Sequence, residues 1–208
     1  GAGAPLRGGW TGRLALVEAV LGDDAAAAVE SLLQGLRDGA TEVELASAVS
    51  FSAATRIARF PTTNEFGDWD TALHTFTFAN AVEQGLRRSP SPELLRGVFD
   101  AAASVFLDRF LNVPATRLPE PSPHAEPDVL LLELPALLDR QQQVDEAGEL
   151  VATFLAAGGD PRRLVAALGS ALLRENRNFH TIQCVEAAVR QHELLATDEA
   201  DLPLVAAA

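Results

Sequence analysis

The sequence predicts an all-α protein, a multi-helix bundle of about eight helices in two halves. The chain has 208 residues, of which 48% are hydrophobic and 22% charged, which is typical of a globular protein with a substantial core. Capping residues and helix breakers follow one another, and apolar residues recur at helical spacing. Runs of alternating Val, Ile and Thr, which would indicate strands, are missing. These three observations favour helices throughout.

Start and stop signals mark the helices of the first half. We expect the first helix over about residues 13–21 and the second over about 25–36. Thr41 and Glu44 form a capping-box pattern that opens a third helix, and Pro61 ends it. The first half therefore begins with three short helices.

Two further helices complete the first half. Asp68 can cap a fourth helix from Trp69 to about Arg87, and Ser91 followed by Pro92 has the form of a helix start with proline at its first position. The apolar face of this fifth helix is expected to pack in the core against the fourth helix. The core side chains predicted here are Phe99, Ala102, Phe106 and Phe110, together with Phe76 and Val82.

Residues 113–127 contain five prolines, which exclude a helix and predict an extended surface segment. This segment divides the chain into an N-terminal half, 1–112, a linker, 113–127, and a C-terminal half, 128–208, which we expect to form one compact domain.

The second half is predicted to hold three helical stretches. The first covers about residues 128–157 with a break or new start at Pro135, the next starts at Pro161, and the last covers about 178–195. The tail, 198–208, is expected to fray.

Charge and composition exclude several classes of function. With 29 acidic and 16 basic residues the formal net charge is −13, which argues against nucleic acid or an anionic membrane as partner. No apolar stretch approaches the length of about 18 residues that a membrane span needs. The single cysteine excludes an internal disulfide and a metal site built from cysteines alone. No leader pattern is visible, so we expect a cytoplasmic protein.

Histidines on two helices are the strongest candidates for chemistry. Asp70 and His74 lie four residues apart on the fourth helix, so the carboxylate can reach the imidazole. That helix is apolar on several sides, and we expect His74 to be buried. His180 lies on the last helix and shares a face with Cys184.

The two histidines form a pair. Each belongs to a His-Thr dipeptide that is expected near the start of an apolar helix, one in each half, and helical bundles build metal sites from side chains on facing helices. Two histidines and one carboxylate match the ligand set of non-haem iron enzymes. We therefore predict a metal site of His74, His180 and Asp70, with iron as the metal. Other carboxylates considered for the third ligand are Asp68, Glu65 and Glu186, the last of which lies on the far side of its helix.

Four side chains near these positions are predicted to line a pocket at the site: Trp69, Thr77, Phe78 and Cys184. The alternative interpretation is that each histidine is a hydrogen-bonded structural residue and that Trp69 covers the core. Cys184, mid-helix among apolar neighbours, is interpreted as a structural thiol and not as a nucleophile.

Two segments of this chain resemble a known family. Residues 65–81, EFGDWDTALHTFTFANA, and residues 178–191, NFHTIQ followed by VEAAVRQ after Cys184, are similar to the helical region that accompanies Rieske-type iron–sulfur domains in some high-GC bacterial proteins. The stretches 97–100 and 106–114 share this resemblance, which covers about half of the chain. A looser likeness is to the questin oxidase family of helical oxidoreductases, which carry histidines on core helices.

The resemblance implies an oxidoreductase, with His74 and His180 as metal ligands. The chain departs from the family because a Rieske cluster needs two cysteines and two histidines, and one cysteine cannot supply them. No Rieske cluster is therefore expected here, and the resemblance implies an external electron donor.

Two classes of function stay open from the sequence. The first is a metal-dependent, non-haem iron oxidoreductase that acts on a small molecule. The alternative is a non-catalytic helical interaction or small-molecule-binding module with structural histidines. Self-association is compatible with both.

Overall fold

The computed structural model describes residues 9–140, 143–174, 178–197 and 199–208, and these residues form an all-α protein, as the sequence predicts. No strand occurs among them. The helices of the described residues are α1 Arg13–Leu21, α2 Ala25–Arg37, α3 Glu42–Ile57, α4 Phe66–Arg88, α5 Pro92–Asp108, α6 Pro127–Leu138, α7 Val144–Ala156, α8 Pro161–Arg174, α9 Phe179–Leu194 and α10 Leu202–Ala206.

Local capping explains why several helices begin where they do. The Asp24 carboxylate accepts hydrogen bonds from the first backbone N–H groups of α2. Thr41 and Glu44 form the predicted capping box at α3, with the Glu44 carboxylate 2.8 Å from the Thr41 nitrogen. The Ser91 hydroxyl accepts from the nitrogen of Leu94 at the start of α5. These caps confirm the predicted starts of α2, α3 and α5.

Helix α3 lies at the centre of the fold. It packs against α1, α4, α5, α9 and α10, and nearly all of its side chains are buried. Most of these side chains are Ala or Ser, so neighbouring helices can approach its backbone closely from several sides. Helix α4 packs on α3 and α5, and its remaining contact is with α9. The α4–α9 contact positions the candidate site.

Three boundaries differ from the predicted ones. Helix α4 begins at Phe66, because Glu65 is the cap and Asp68 lies one turn inside, where its carboxylate accepts from the Glu65 nitrogen at 3.1 Å. Pro135 lies inside α6 and does not break it; α6 ends at Leu138. The described residues form ten helices, where about eight were predicted. The two additional ones arise because α6 and α7 are separate helices and because α10 was not predicted.

The prediction of a frayed tail is wrong for the described residues 199–208, while Asp198 lies outside them. Helix α10 packs against α9, α3 and α7, and Leu204 is completely buried. Glu199 forms an ion pair with Arg13 of α1 at 2.6 Å. Burial of the apolar side chains of this short helix contributes more free energy than the ordering of its few residues costs in conformational entropy.

The predicted apolar face of α5 is only partly correct. Ala102, Phe76 and Val82 are buried, and Phe99 is half-buried against the core. Phe106 is half-buried, and Phe110 is 62% exposed because α5 ends at Asp108, two residues before it. The guanidinium of Arg109 stacks over both phenyl rings.

Residues 113–126 contain no helix, in agreement with their prolines, and follow a path over α7. The predicted segment is one residue too long, because Pro127 is the first residue of α6, where a helix tolerates proline. The Thr116 nitrogen donates to the Arg59 carbonyl at the end of α3, and the Ser122 nitrogen lies 3.4 Å from the Thr153 hydroxyl of α7. Between these points the ring of Pro119 lies against Gly148 of α7. The division of the chain into two halves at this segment stays a prediction. None of the described helices is both long and apolar enough to cross a membrane.

Candidate metal centre

Helix α4 presents Asp70 and His74 on one side, one helical turn apart. Its buried residues, including Ala72, Phe76 and Ala79, turn towards the core and orient the helix. Asp70 and His74 therefore lie away from the core, at the edge where α4 meets α9.

Helix α9 supplies His180 from its first turn. The Asn178 side chain caps the helix by accepting from the Thr181 nitrogen at 3.0 Å. This cap fixes the start of α9 at Phe179 and makes His180 its second residue. His74, in contrast, is the ninth residue of α4, so the two His-Thr dipeptides do not start equivalent helices as the sequence suggested.

The structure brings the three predicted ligands together. The imidazole rings of His74 and His180 have centroids 4.2 Å apart and planes inclined at 68°. The Nε2 atom of His180 lies 3.8 Å from Oδ2 of Asp70. One potential ligand atom from each of the three side chains lies within 4.8 Å of the others. Residues from positions 70, 74 and 180 thus converge on one point.

The site lies nearer the surface than the sequence predicted. His74 is exposed, whereas Asp70 and His180 are half-buried. The expectation of a buried His74 is wrong because His74 lies at the outer edge of the contact between α4 and α9, beside His180, where its side chain stays exposed. Solvent or a small ligand can therefore reach the ligand atoms directly.

The other carboxylates considered for the site have different partners. Asp68 is part of the N-terminal cap of α4, and Glu186 pairs with Arg190 one turn along α9 at 2.6 Å. Glu65 is the exposed cap residue of α4. Among these carboxylates, Asp70 alone joins the two histidines in the cluster.

The donor set suits a divalent transition metal. Two imidazoles and one carboxylate bind such ions at about 2.1 Å each, so their ligand atoms must lie within about 4 Å of one another. The observed limit of 4.8 Å is longer by less than 1 Å, which side-chain rotation can supply. Three protein ligands would leave coordination positions for other molecules.

Two exposed aromatic side chains lie close in sequence to the ligands on the outer face of α4 and α9. The phenyl ring of Phe179 lies 3.7 Å from the ring of His180, measured between centroids, and is 62% exposed. Phe78, one turn after His74 on α4, is also exposed. The exposed site thus has at least one aromatic ring against a ligand, that of Phe179 on His180.

A separate cavity of about 410 Å³ lies on the inner side of α4 and α9. Of the predicted pocket residues, Trp69 and Cys184 line this cavity, whereas Thr77 and Phe78 do not. The Thr77 hydroxyl donates to the Leu73 carbonyl of its own helix at 2.9 Å. The cavity is therefore adjacent to the metal ligands but does not include them.

The environment of Cys184 agrees with a structural thiol. It is buried, and the loss of solvent raises the pKa of the thiol to about 12. A thiol in this state does not supply the thiolate that a nucleophile or a metal ligand requires.

A buried polar contact between α4 and α9 escaped the sequence analysis. Gln191 of α9 donates to Asn80 and to Glu83 of α4, and all three side chains are buried. Glu83 and Gln191 each lie shortly after apolar residues in the sequence, which is a signal for a buried polar side chain but does not identify its partner.

Comparisons of this chain with family models, with curated proteins and with solved structures find no match. The resemblances described above therefore stay predictions.

Proposed function

We propose that this chain is a metal-dependent oxidoreductase that holds non-haem iron through Asp70, His74 and His180 and acts on a small molecule. The observation that carries the proposal is the convergence of these three side chains from α4 and α9 to within 4.8 Å. This set of two histidines and one carboxylate is typical of iron(II) enzymes that use O₂.

Each side chain has a distinct task in this proposal. His74 and His180 each offer an imidazole nitrogen, one from α4 and one from α9. Asp70 adds a negative charge, which favours a divalent cation over water at the same position. Bound iron would supply redox chemistry with O₂ at the coordination positions that the protein leaves open.

The surroundings support access of a substrate from outside. His74 is exposed, and the exposed rings of Phe78 and Phe179 give the rim of the site an apolar character. We keep the expectation of a cytoplasmic enzyme that receives electrons from an external donor. That donor is implied by the resemblance to the Rieske-associated region.

Metal analysis tests the proposal directly. We expect protein purified without chelator, then loaded with iron(II) under anaerobic conditions and desalted, to retain about one iron per chain. His74→Ala and His180→Ala should each weaken iron binding at least tenfold, because two remaining ligands hold the ion poorly. His124→Ala is the matched control, since His124 lies exposed in residues 113–126 and away from the cluster.

Two results would contradict the proposal. The ligand role fails when His74→Ala and His180→Ala retain as much metal as His124→Ala. The redox role fails when two results are found together. The site binds zinc tightly, and the iron-loaded protein with a reductant consumes O₂ no faster than the His74→Ala variant does.

A further inference from the structure

The cavity on the inner side of α4 and α9 is lined largely by apolar side chains and is partly open to solvent. Its volume of about 410 Å³ is in the range of small-molecule sites. The walls come from α3, α4 and α6–α10 and from residues 117–119. Apolar side chains that face it include Phe60, Trp69, Leu73, Leu138, Leu172 and Val205.

Among the residues that the structure describes, four charged side chains line the cavity, two basic and two acidic. Arg174 of α8 pairs with Asp139 at the end of α6, at 3.1 Å. Arg117 and Asp145 add one charge of each sign. Asp145 lines the cavity from the first turn of α7, and Arg117 lines it from the segment that precedes α6. The charged side chains described in this lining therefore have no excess of either sign.

From this lining we infer that the cavity binds an uncharged, predominantly apolar small molecule. Burial of a ligand charge without an opposite charge is unfavourable, and the described lining offers two basic and two acidic side chains, with Arg174 paired to Asp139. The net charge of −13 adds a further repulsion for anions. The charged groups can accept or donate hydrogen bonds at one end of such a molecule without demanding an ionic partner.

The cavity shares its walls with the candidate metal centre. Leu73 lines the cavity and precedes His74, and Cys184 lines it one helical turn after His180. As a statement about the substrate, the inference rests on the proposed metal-dependent function. As a statement about binding, it requires no metal and is tested on metal-free protein.

Two fluorescent probes with the same apolar body provide the test. N-phenyl-1-naphthylamine is uncharged, and 8-anilino-1-naphthalenesulfonate differs from it by one sulfonate. Trp69 lines the cavity, and because the chain has two tryptophans, Trp10→Phe leaves Trp69 as the sole donor for energy transfer to a bound probe. Titrations are made on this variant in the presence of a chelator.

We expect the uncharged probe to quench Trp69 and to bind at least tenfold more tightly than the sulfonate. Ala171→Phe, which fills the cavity from α8, should weaken binding of the uncharged probe at least tenfold. Ala166→Phe is the matched control on the exposed side of the same helix. Val144→Trp is a second variant that obstructs the cavity, for use when Ala171→Phe unfolds the protein. Val144 is 38% exposed, so the larger side chain can be accommodated. This variant is made in a Trp69→Phe background, and binding is read from the fluorescence of the probe.

Equal or tighter binding of the sulfonate would overturn the inference, since it would identify an anion site at Arg117 or Arg174. Binding that is unchanged in both Ala171→Phe and Val144→Trp would also overturn it, because the probe would then lie elsewhere. Failure of iron binding alone leaves these titrations unaffected, so the two proposals fail separately.

Discussion

The Gln191 amide of α9 donates a hydrogen bond of 2.8 Å to the Glu83 carboxylate of α4, and both side chains are completely buried. The same amide donates to Asn80 at 3.0 Å, and Arg87 pairs with the second carboxylate oxygen of Glu83 at 2.7 Å. This contact lies eleven residues after His180, which is about 16 Å along α9. It fixes the register of the two helices that carry the metal ligands.

Removal of this amide should destabilise the fold. We expect Gln191→Leu to lower the free energy of unfolding by about 2–3 kcal/mol, because it leaves the buried oxygens of Asn80 and Glu83 without their donor. Denaturant titration measures the change. Gln183→Leu, at an exposed position of the same helix, is the control and should change stability by less than about 0.5 kcal/mol. Equal effects of the two substitutions would show that the buried contact contributes nothing specific.

Asp108 should make stability depend on pH. Burial raises the pKa of this carboxyl to about 6, against an ordinary value of 3.8, although a hydrogen bond from Thr75 and the charge of Arg56 oppose the shift. Between these values the folded protein binds more protons than the unfolded chain. The contribution of Asp108 to the free energy of unfolding therefore falls as pH rises from about 4 to about 6.

Comparison with Asp108→Asn isolates this effect. We expect the free energy of unfolding of the wild type, minus that of the variant, to decrease between pH 4 and pH 6 in denaturant titrations. Asp100→Asn, an exposed position on α5, should give a difference that is nearly independent of pH. A difference for Asp108→Asn that rises with pH would contradict the expected sign.

The packing of α10 predicts a large effect from one of its leucines. Leu204→Ala should lower the free energy of unfolding by about 2–5 kcal/mol, because the side chain is completely buried and its loss leaves a cavity. Leu132→Ala is the matched control on α6, where the leucine is 81% exposed, and should cost less than about 0.5 kcal/mol. A cost for Leu204→Ala as small as that of the control would mean that α10 is detached in solution.

Cys184 should be inert in the native protein. Because burial raises the pKa of its thiol to about 12, the reactive thiolate is scarce at neutral pH and inaccessible. We expect Ellman's reagent to leave the native protein unlabelled over minutes and to label one thiol per chain at once in guanidinium chloride. Prompt stoichiometric labelling of the native protein would show that the cavity opens wide enough to admit the reagent.

The amino-acid sequence by itself determined the helical class and several helix starts. The caps at Asp24, Thr41 and Ser91 are contacts between residues two or three apart, so the local sequence is enough to predict them. The selection of Asp70, His74 and His180 also came from the sequence, since four-residue spacing and residue chemistry are local properties. From the sequence, the convergence of these three side chains was only an expectation, because it depends on how α4 packs against α9.

The tertiary structure decided which side of each helix meets a neighbour. Helix α4 is apolar on several sides, so periodicity could not tell that His74 lies on the exposed one. The burial of α10, the contact of Gln191 with Glu83 and the cavity beside Trp69 all depend on residues more than one hundred positions apart in the sequence. Local spacing carries no information about such contacts, because they arise when the whole chain minimises its exposed apolar surface.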